Sequence, residues 1–413
     1  MGVRPSAVRV AVRTVELTEP LHPLADLVAY TSVQIFGLWG GRPIGSVEVA
    51  NHGHALSEGR VAEAIARGLG REVLAAMVSQ GYGGAAALPP LDDDVRVSVV
   101  IATLDRPEPL ASCLRAVTAQ KTSRAVEIVV VDNHPASGLT PPVVADFPDV
   151  RYVAEPRRGL AYARNAGFLA AGGEIVVATD DDVIVPVDWL EKLVAPFARA
   201  DVMAVTGNVL PRELDTHAQR LFEAYGGLGR GFAYREFDRR WFDSWSRGVP
   251  TWTLGATANA AFRARVLRHP DVGLMDEALG PGMPSGVGED TYLFYRILRA
   301  GFTIVYEPAA YVWHTHRREL SALRRQLFAY SKGHVAYHLV TLLRDRDRRA
   351  LAELLVALPR YRARQLAATL LGRRDYPLSL VLIELAGHLA GPLALWRSRR
   401  RVRREGRSGM VTA

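Results

Sequence analysis

Val95-Arg-Val-Ser-Val-Val-Ile-Ala102, running straight into Thr103-Leu-Asp-Arg106, is the stretch that decides the fold. It is a largely apolar run that ends on polar and charged residues. A strand covered on both faces requires this composition, and such strands belong to parallel sheets. Downstream, Pro107 and Pro109 open a helix that carries Leu110, Cys113, Leu114 and Val117 on one face. Residues 127–131 read as a second buried strand and 150–154 as a short third. Residues 160–171 form a helix stopped by Gly172-Gly173, and 175–178 a fourth strand. Strands alternating with helices imply an α/β fold with right-handed crossovers.

On either side of this region the pattern changes. Residues 1–85 mix β-like runs (8–15, 27–38 and 44–49) with a helical segment over 57–80, and predict a small α+β accessory domain. Gly37, Gly40, Gly41 and Pro43 read as a hairpin turn between the last two of those strands. A linker is expected over 86–94 and the α/β domain over 95–320. A helical, basic extension is expected over 321–413, with no further strand after about Leu320.

Ligands of open α/β sheets bind at the carboxyl ends of the strands. Here those ends carry Thr103-Leu104-Asp105-Arg106, Asp132-Asn133 and Asp180-Asp181-Asp182. Converging carboxylates repel one another unless a cation or a donor-rich ligand is present. In extended backbone Asp180 and Asp182 point to one side and Asp181 to the other, an Asp-x-Asp pattern suited to Mg2+ or Mn2+ bridging a diphosphate. A solvated acidic turn at the start of the helix around Trp189, with Asp188 in the same role, is the plainer reading of the same residues.

Six segments occur in order: residues 98–107, 127–133, 158–167 (Arg158-Gly-Leu-Ala-Tyr-Ala-Arg-Asn-Ala-Gly167), 180–182, 255–263 (Gly255-Ala-Thr-Ala-Asn-Ala-Ala-Phe-Arg263) and 288–290 (Gly288-Glu-Asp290). Together, over roughly 95–320, they resemble family 2 glycosyltransferases, which share the GT-A fold: a mostly parallel sheet flanked by helices. The resemblance implies an inverting transfer of a sugar from a nucleotide-diphosphate donor, a UDP-sugar by preference, to a carbohydrate, lipid-linked or small-molecule acceptor. It places Thr103, Asp105 and Asp132 at the nucleobase and ribose, and Arg164, Asn165 and Asp180 at the diphosphate and sugar. Asp180 and Asp182 become the Mn2+ or Mg2+ ligands, with His314 favoured over His316 as a further one. Asn259 and Arg263 fall on the acceptor side. Asp290 matches the general base, with Glu289 beside it to orient the acceptor or the base. The family usually has Tyr-Asn where this chain has Leu104-Asp105, so a possible stacking ring for the base is missing. A helix N-terminus stabilised by Glu289 and Asp290 accounts for that acidic pair equally well.

The chain has 413 residues, 49% hydrophobic and 23% charged, with a formal charge of +8 and a pI near 9.7. Much of the positive charge is terminal, in Arg397, Arg399, Arg400, Arg401, Arg403, Arg404 and Arg407. Without aromatic interleaving it does not predict nucleic-acid binding. The single cysteine, Cys113, excludes a disulfide framework and a cysteine-based zinc site. Residues 1–30 lack an apolar signal core, so a cytoplasmic protein is expected. Residues 376–396 are apolar and long enough to span a bilayer, but Glu384 and His388 share one helical face within them. Peripheral contact at the inner face of the membrane is therefore the expectation, with a buried helix as the alternative. Two other functions fit parts of the pattern. A sugar nucleotidylyltransferase is disfavoured by the absence of a glycine-rich loop at strand one. A catalytically inactive scaffold that binds a nucleotide-sugar or a membrane is disfavoured by the presence of both Asp182 and Asp290.

Overall fold

A computed structural model describes residues 8–81, 90–373 and 376–409. Residues 86–89 of the expected linker, and Arg374 beside the apolar C-terminal stretch, lie outside them. The N-terminal region is a three-stranded sheet, β1 (Val10–Glu16), β2 (Ser32–Trp39) and β3 (Arg42–Ala50), covered by the helix Glu58–Gly81. β2 starts five residues later than expected. Gly40 and Gly41 close the β2–β3 hairpin with φ of 57° and 71°, the two positive values a two-residue primed turn needs. Val33, Ile35, Val61, Ile65 and Leu69 form a core of their own. Phe36 packs on Leu210 and Tyr311, and Lys192 Nζ donates to the Gly41 carbonyl at 2.9 Å, which joins this unit to the larger sheet.

That sheet contains β4 (Val97–Thr103), β5 (Val126–Asp132), β6 (Val150–Ala154), β7 (Ile175–Asp180), β8 (Val183–Ile184), β9 (Val202–Pro211), β10 (Arg235–Phe237), β11 (Asn259–Arg263) and β12 (Thr303–His314). Its order is β10-β12-β9-β11-β7-β4-β5-β6, with β8 paired to β12. β6, β5, β4 and β7 run parallel, as do β9 and β12, and antiparallel β11 joins the two halves. Every residue of β4 is buried. Val97, Val99 and Ile101 pack with Leu110, Cys113, Leu114 and Val117 of the helix Pro107–Thr118. Val100 and Ala102 face the helix Leu160–Ala170 on the other side. Each such side chain contributes about 1.5–3 kcal/mol by leaving water. Gly167 lets that second helix press on the sheet, since a Cβ there would lie 2.2 Å from Val100 Cγ1.

β12 runs unbroken from Thr303 to His314. Glu307-Pro308 looks like a break in sequence, but a register shift between Glu307 and Tyr311 carries Pro308 past the ladder with no donor required of it. After it the chain is helical: Leu320–Asp345, a π-helical turn Glu353–Ala357, Leu358–Leu370 and Leu378–Glu405. The last helix is long and apolar enough to cross a membrane by length and composition. Its Glu384 and His388 turn inward: Glu384 is fully buried and pairs with Arg362 at 3.0 Å. Leu382, Leu393, Trp396 and Leu389, the last 85% exposed, remain outside. The end of this helix is tied to the core. Ser285 N–H donates to Ser398 Oγ, Arg401 donates to the carbonyls of Gly282 and Arg158, Tyr162 donates to the Gly406 carbonyl, and Ser408 N–H donates to Glu277.

Candidate active site

The parallel strands β4, β5 and β7 end side by side, and so deliver Thr103, Asp132 and Asp180 to one edge of the sheet. β12 brings His314 to the same place: its Nε2 lies 3.3 Å from Asp182 Oδ1. One ligand atom each from Asp180, Asp182 and His314 fall within 4.8 Å of one another. Two carboxylates and an imidazole form a hard-to-borderline donor set that suits Mn2+ or Mg2+. Burial holds the His314 imidazole below its usual range, outweighing the neighbouring Asp182. Burial alone would raise Asp182, but His314, Arg106 and Arg317 together hold its carboxyl below the usual range.

Arg106 is the residue in this group that the sequence did not single out. Its Nη1 sits 3.0 Å from Asp181 and 2.7 Å from Asp182 and provides their countercharge. Asp181 turns into the protein, as the alternation predicts. It accepts the Thr103 hydroxyl at 2.7 Å, and burial raises its carboxyl to about 6 despite Arg106. Cys113 is a buried thiol beneath the group, pushed well above its usual range by burial, and not a nucleophile.

Arg164 connects the strand ends to the far wall of the crevice. Only 3% of its side chain is exposed, and it pairs with Asp180 at 2.6 Å and Glu289 at 3.0 Å. Burial, with the neighbouring Asp290 charge, raises Glu289 to about 7. Gly288, at φ 115°, precedes the helix Glu289–Arg299, so Asp290 lies in the first turn. One Asp290 oxygen accepts the Thr291 N–H at 2.6 Å and the other the Thr257 N–H at 3.4 Å. The buried Thr257 hydroxyl beside it has no partner among the described residues.

Asp105 stands exposed at φ 57°, in the left-handed region, and pairs with His134 Nδ1 at 2.8 Å; that hydrogen bond lowers its carboxyl. Thr103 is enclosed and supports Asp181 from behind. Asp132 is enclosed too, its oxygens accepting the His134 N–H and the Tyr152 hydroxyl, both at 2.9 Å. A direct base contact is therefore not what its carboxylate offers; it fixes Tyr152 and His134, which do reach the surface of the crevice.

Three expected site residues stand elsewhere. Asn165 is fully buried and clamps the loop at Met275 and Glu277 through both ends of its amide, so it offers nothing to a diphosphate. Asn259 is likewise enclosed, donating to the carbonyls of Asn208 and Ala310 and accepting from Trp189 Nε1. It locks β11 between its neighbours. Arg263 pairs in register with Ile175, at the opposite end of β7 from Asp180, because β11 runs antiparallel. Its guanidinium caps the carbonyls of Val202 and Arg199. His316 stands behind His314, Nδ1 to Nδ1 at 3.3 Å, with its Nε2 on Glu223 at 2.7 Å, and His314 is the histidine of the cluster.

A doubly covered α/β sheet with carboxylates and an imidazole at its strand ends, facing an acidic helix start, has the GT-A architecture. Residues 98–269 match the model of glycosyl transferase family 2. The pre-mycofactocin glycosyltransferase of Mycobacterium tuberculosis is 29% identical over 204 residues, 48% of this chain and 39% of that protein. The succinoglycan biosynthesis protein ExoM of Rhizobium meliloti is 26% identical over 254 residues, 59% of this chain and 75% of that one. The chain thus spans about two fifths of the former. A mannosyltransferase from Pyrobaculum calidifontis, solved with GDP-Man and Mn2+, aligns over 84% of this chain and 86% of its own at 18% identity and a TM-score of 0.44.

Proposed function

We propose that this chain transfers a sugar, with inversion, from a nucleotide-diphosphate donor to an acceptor hydroxyl. One observation carries the proposal: a single buried guanidinium, Arg164, links the Asp180–Asp182–His314 group to the Glu289-Asp290 helix start. Donor and acceptor chemistry are thereby held across one crevice. Asp180, Asp182 and His314 would hold a divalent cation, which offsets the charge that develops on the departing diphosphate. Arg106 adds positive charge at the same edge. Asp290 accepts the acceptor proton as that oxygen bonds to the anomeric carbon and the carbon–phosphate-oxygen bond breaks on the opposite side. Arg164 and Glu289 set the distance between the two halves. A UDP-sugar remains the preferred donor.

The exposed Leu382, Leu389, Leu393 and Trp396, followed on the same helix by arginines, support peripheral seating on an anionic membrane surface. The test of the enzymatic reading is nucleotide release with Mn2+ across a panel of nucleotide sugars and acceptors. A wild-type chain that bound donor yet never released nucleoside diphosphate would leave it a binding scaffold.

A further inference from the structure

A second group of metal-type ligands lies away from the strand ends, in the helical C-terminal region. His334 and His338 sit one turn apart on the helix Leu320–Asp345, so both rings leave the same face. Glu353, the first residue of the π-helical turn, faces them: its Oε1 is 3.8 Å from His334 Nε2. One ligand atom from each falls within 4.8 Å of the others. Single π turns inside helices often mark functional positions.

The polar atoms here are poorly served by the protein. His338 is 1% exposed, and its Nε2 has no hydrogen-bond partner among the described residues; neither has the buried Nε2 of His334. Buried ring nitrogens left without a partner are destabilising, and native proteins avoid them unless something else fills the role. Burial pushes both imidazoles below their usual range, to about 3 for His338, which leaves them as the neutral donors a metal takes. Arg247 approaches the other Glu353 oxygen at 3.8 Å and leaves Oε1 to the histidines. The nearby His388 is committed to the Glu384 carbonyl and to Arg362.

We propose that His334, His338 and Glu353 form a zinc-binding site. Two imidazoles and one carboxylate are a zinc donor set, with water completing the tetrahedron. Ligand atoms on one zinc lie about 3.3 Å apart, given bonds of about 2.0–2.1 Å, so the group must contract by about an ångström. The site would fasten the loop beneath the proposed base. The Trp252 ring packs edge-on against His334 at 4.9 Å, a Cβ on Gly248 would strike the His338 ring, and Tyr337 donates to the Val249 carbonyl at 2.8 Å. Thr251 in turn donates to the Thr291 carbonyl in the first turn of the Asp290 helix.

The test uses tag-free full-length protein, stripped with chelator and re-exposed to zinc, with bound metal measured after desalting. Asp182→Asn should retain stoichiometric zinc, whereas adding His334→Gln or Glu353→Gln to Asp182→Asn should abolish it. Cobalt loaded into Asp182→Asn should give the intense visible bands of four- or five-coordination and quench tryptophan emission through Trp252. Zinc lost in Asp182→Asn but kept in Glu353→Gln would place it at the strand ends and overturn the proposal. So would an Asp182→Asn chain that takes up no zinc. Should the histidine and glutamate variants fail to fold, the cobalt spectrum of Asp182→Asn decides alone, weak octahedral absorption counting against the site.

Discussion

Arg164→Met removes the guanidinium shared by Asp180 and Glu289 while keeping most of the side-chain volume. Glu289 is 3% exposed and would be left buried without its cation. Breaking a buried pair from one side costs about 3–5 kcal/mol. The cost must depend on pH. Glu289's carboxyl in the fold is raised from 4.5 to about 7, so folded chains bind its proton over a range where unfolded chains have lost it. Its contribution to stability is therefore full below about 4.5 and falls away as pH rises through about 7. Without Arg164 that carboxyl rises further. The variant's deficit against wild type should be largest at pH 8, on the order of 3–5 kcal/mol, and should shrink toward pH 6 as Glu289 takes up a proton. At about 2–4 °C per kcal/mol this is roughly 6–20 °C in Tm. Thermal unfolding in EDTA across this range is the assay, with Glu289→Gln and the double variant completing a cycle. Glu289→Gln should recover most of the loss in the Arg164→Met background. A deficit that was small at pH 8, flat with pH, or simply additive in the double variant would refute the bridging role.

Four further outcomes are expected. Nucleoside diphosphate should raise Tm with Mn2+ present and not in EDTA, and Asp182→Asn or His314→Gln should abolish that dependence. Asp290→Asn should leave donor affinity within a few-fold while transfer falls by roughly 10²–10⁴, measured as nucleotide release; near-wild-type turnover would move the base elsewhere, with Glu289 next. Charge reversal at the exposed Arg397, Arg400 and Arg404 should weaken co-sedimentation with anionic vesicles at low salt by about 1 kcal/mol per residue; unchanged binding would leave the arginines as a solvated end. Asn259→Ala should lower Tm without altering the KM for acceptor, since the side chain serves two carbonyls and an indole inside the sheet.

The parts of this molecule that could be read from sequence are those where one local pattern has one outcome. β4, β5 and β7 lie within a residue or two of their expected places, because burial on both faces forces continuous apolar runs; β6 falls where expected although most of it is exposed, and of the three helices between these strands Thr140–Ala145 was not anticipated. β9 escaped notice although all its residues are buried, since Gly207-Asn208 interrupts the run and nothing local reveals that β11 and β12 flank it. Among the site residues, Asp180, Asp182 and His314 meet as the alternation of side chains in extended backbone suggests. Asn165, Asn259 and Arg263 stand apart from that group, because a motif fixes position along the chain and not which way a side chain turns. An asparagine with two donors and an acceptor serves a buried carbonyl as readily as a sugar. Arg106 left no signal beyond its place next to Asp105; its partners lie more than seventy residues away.

The hydrogen bonds from residues 398–408 to Arg158, Glu277, Gly282 and Ser285 have a consequence for synthesis. Those four residues lie in loops around the crevice, one of which joins Gly159 to Asn133 at a strand end. A ribosome produces the sheet and both of its covering layers long before it produces the segment that pins these loops. The strand ends can thus be laid down early, but the final shape of the loops around them waits for residues 398–408 to emerge and dock. A nascent chain halted before residue 398 would hold a folded sheet without the contacts that pin these loops.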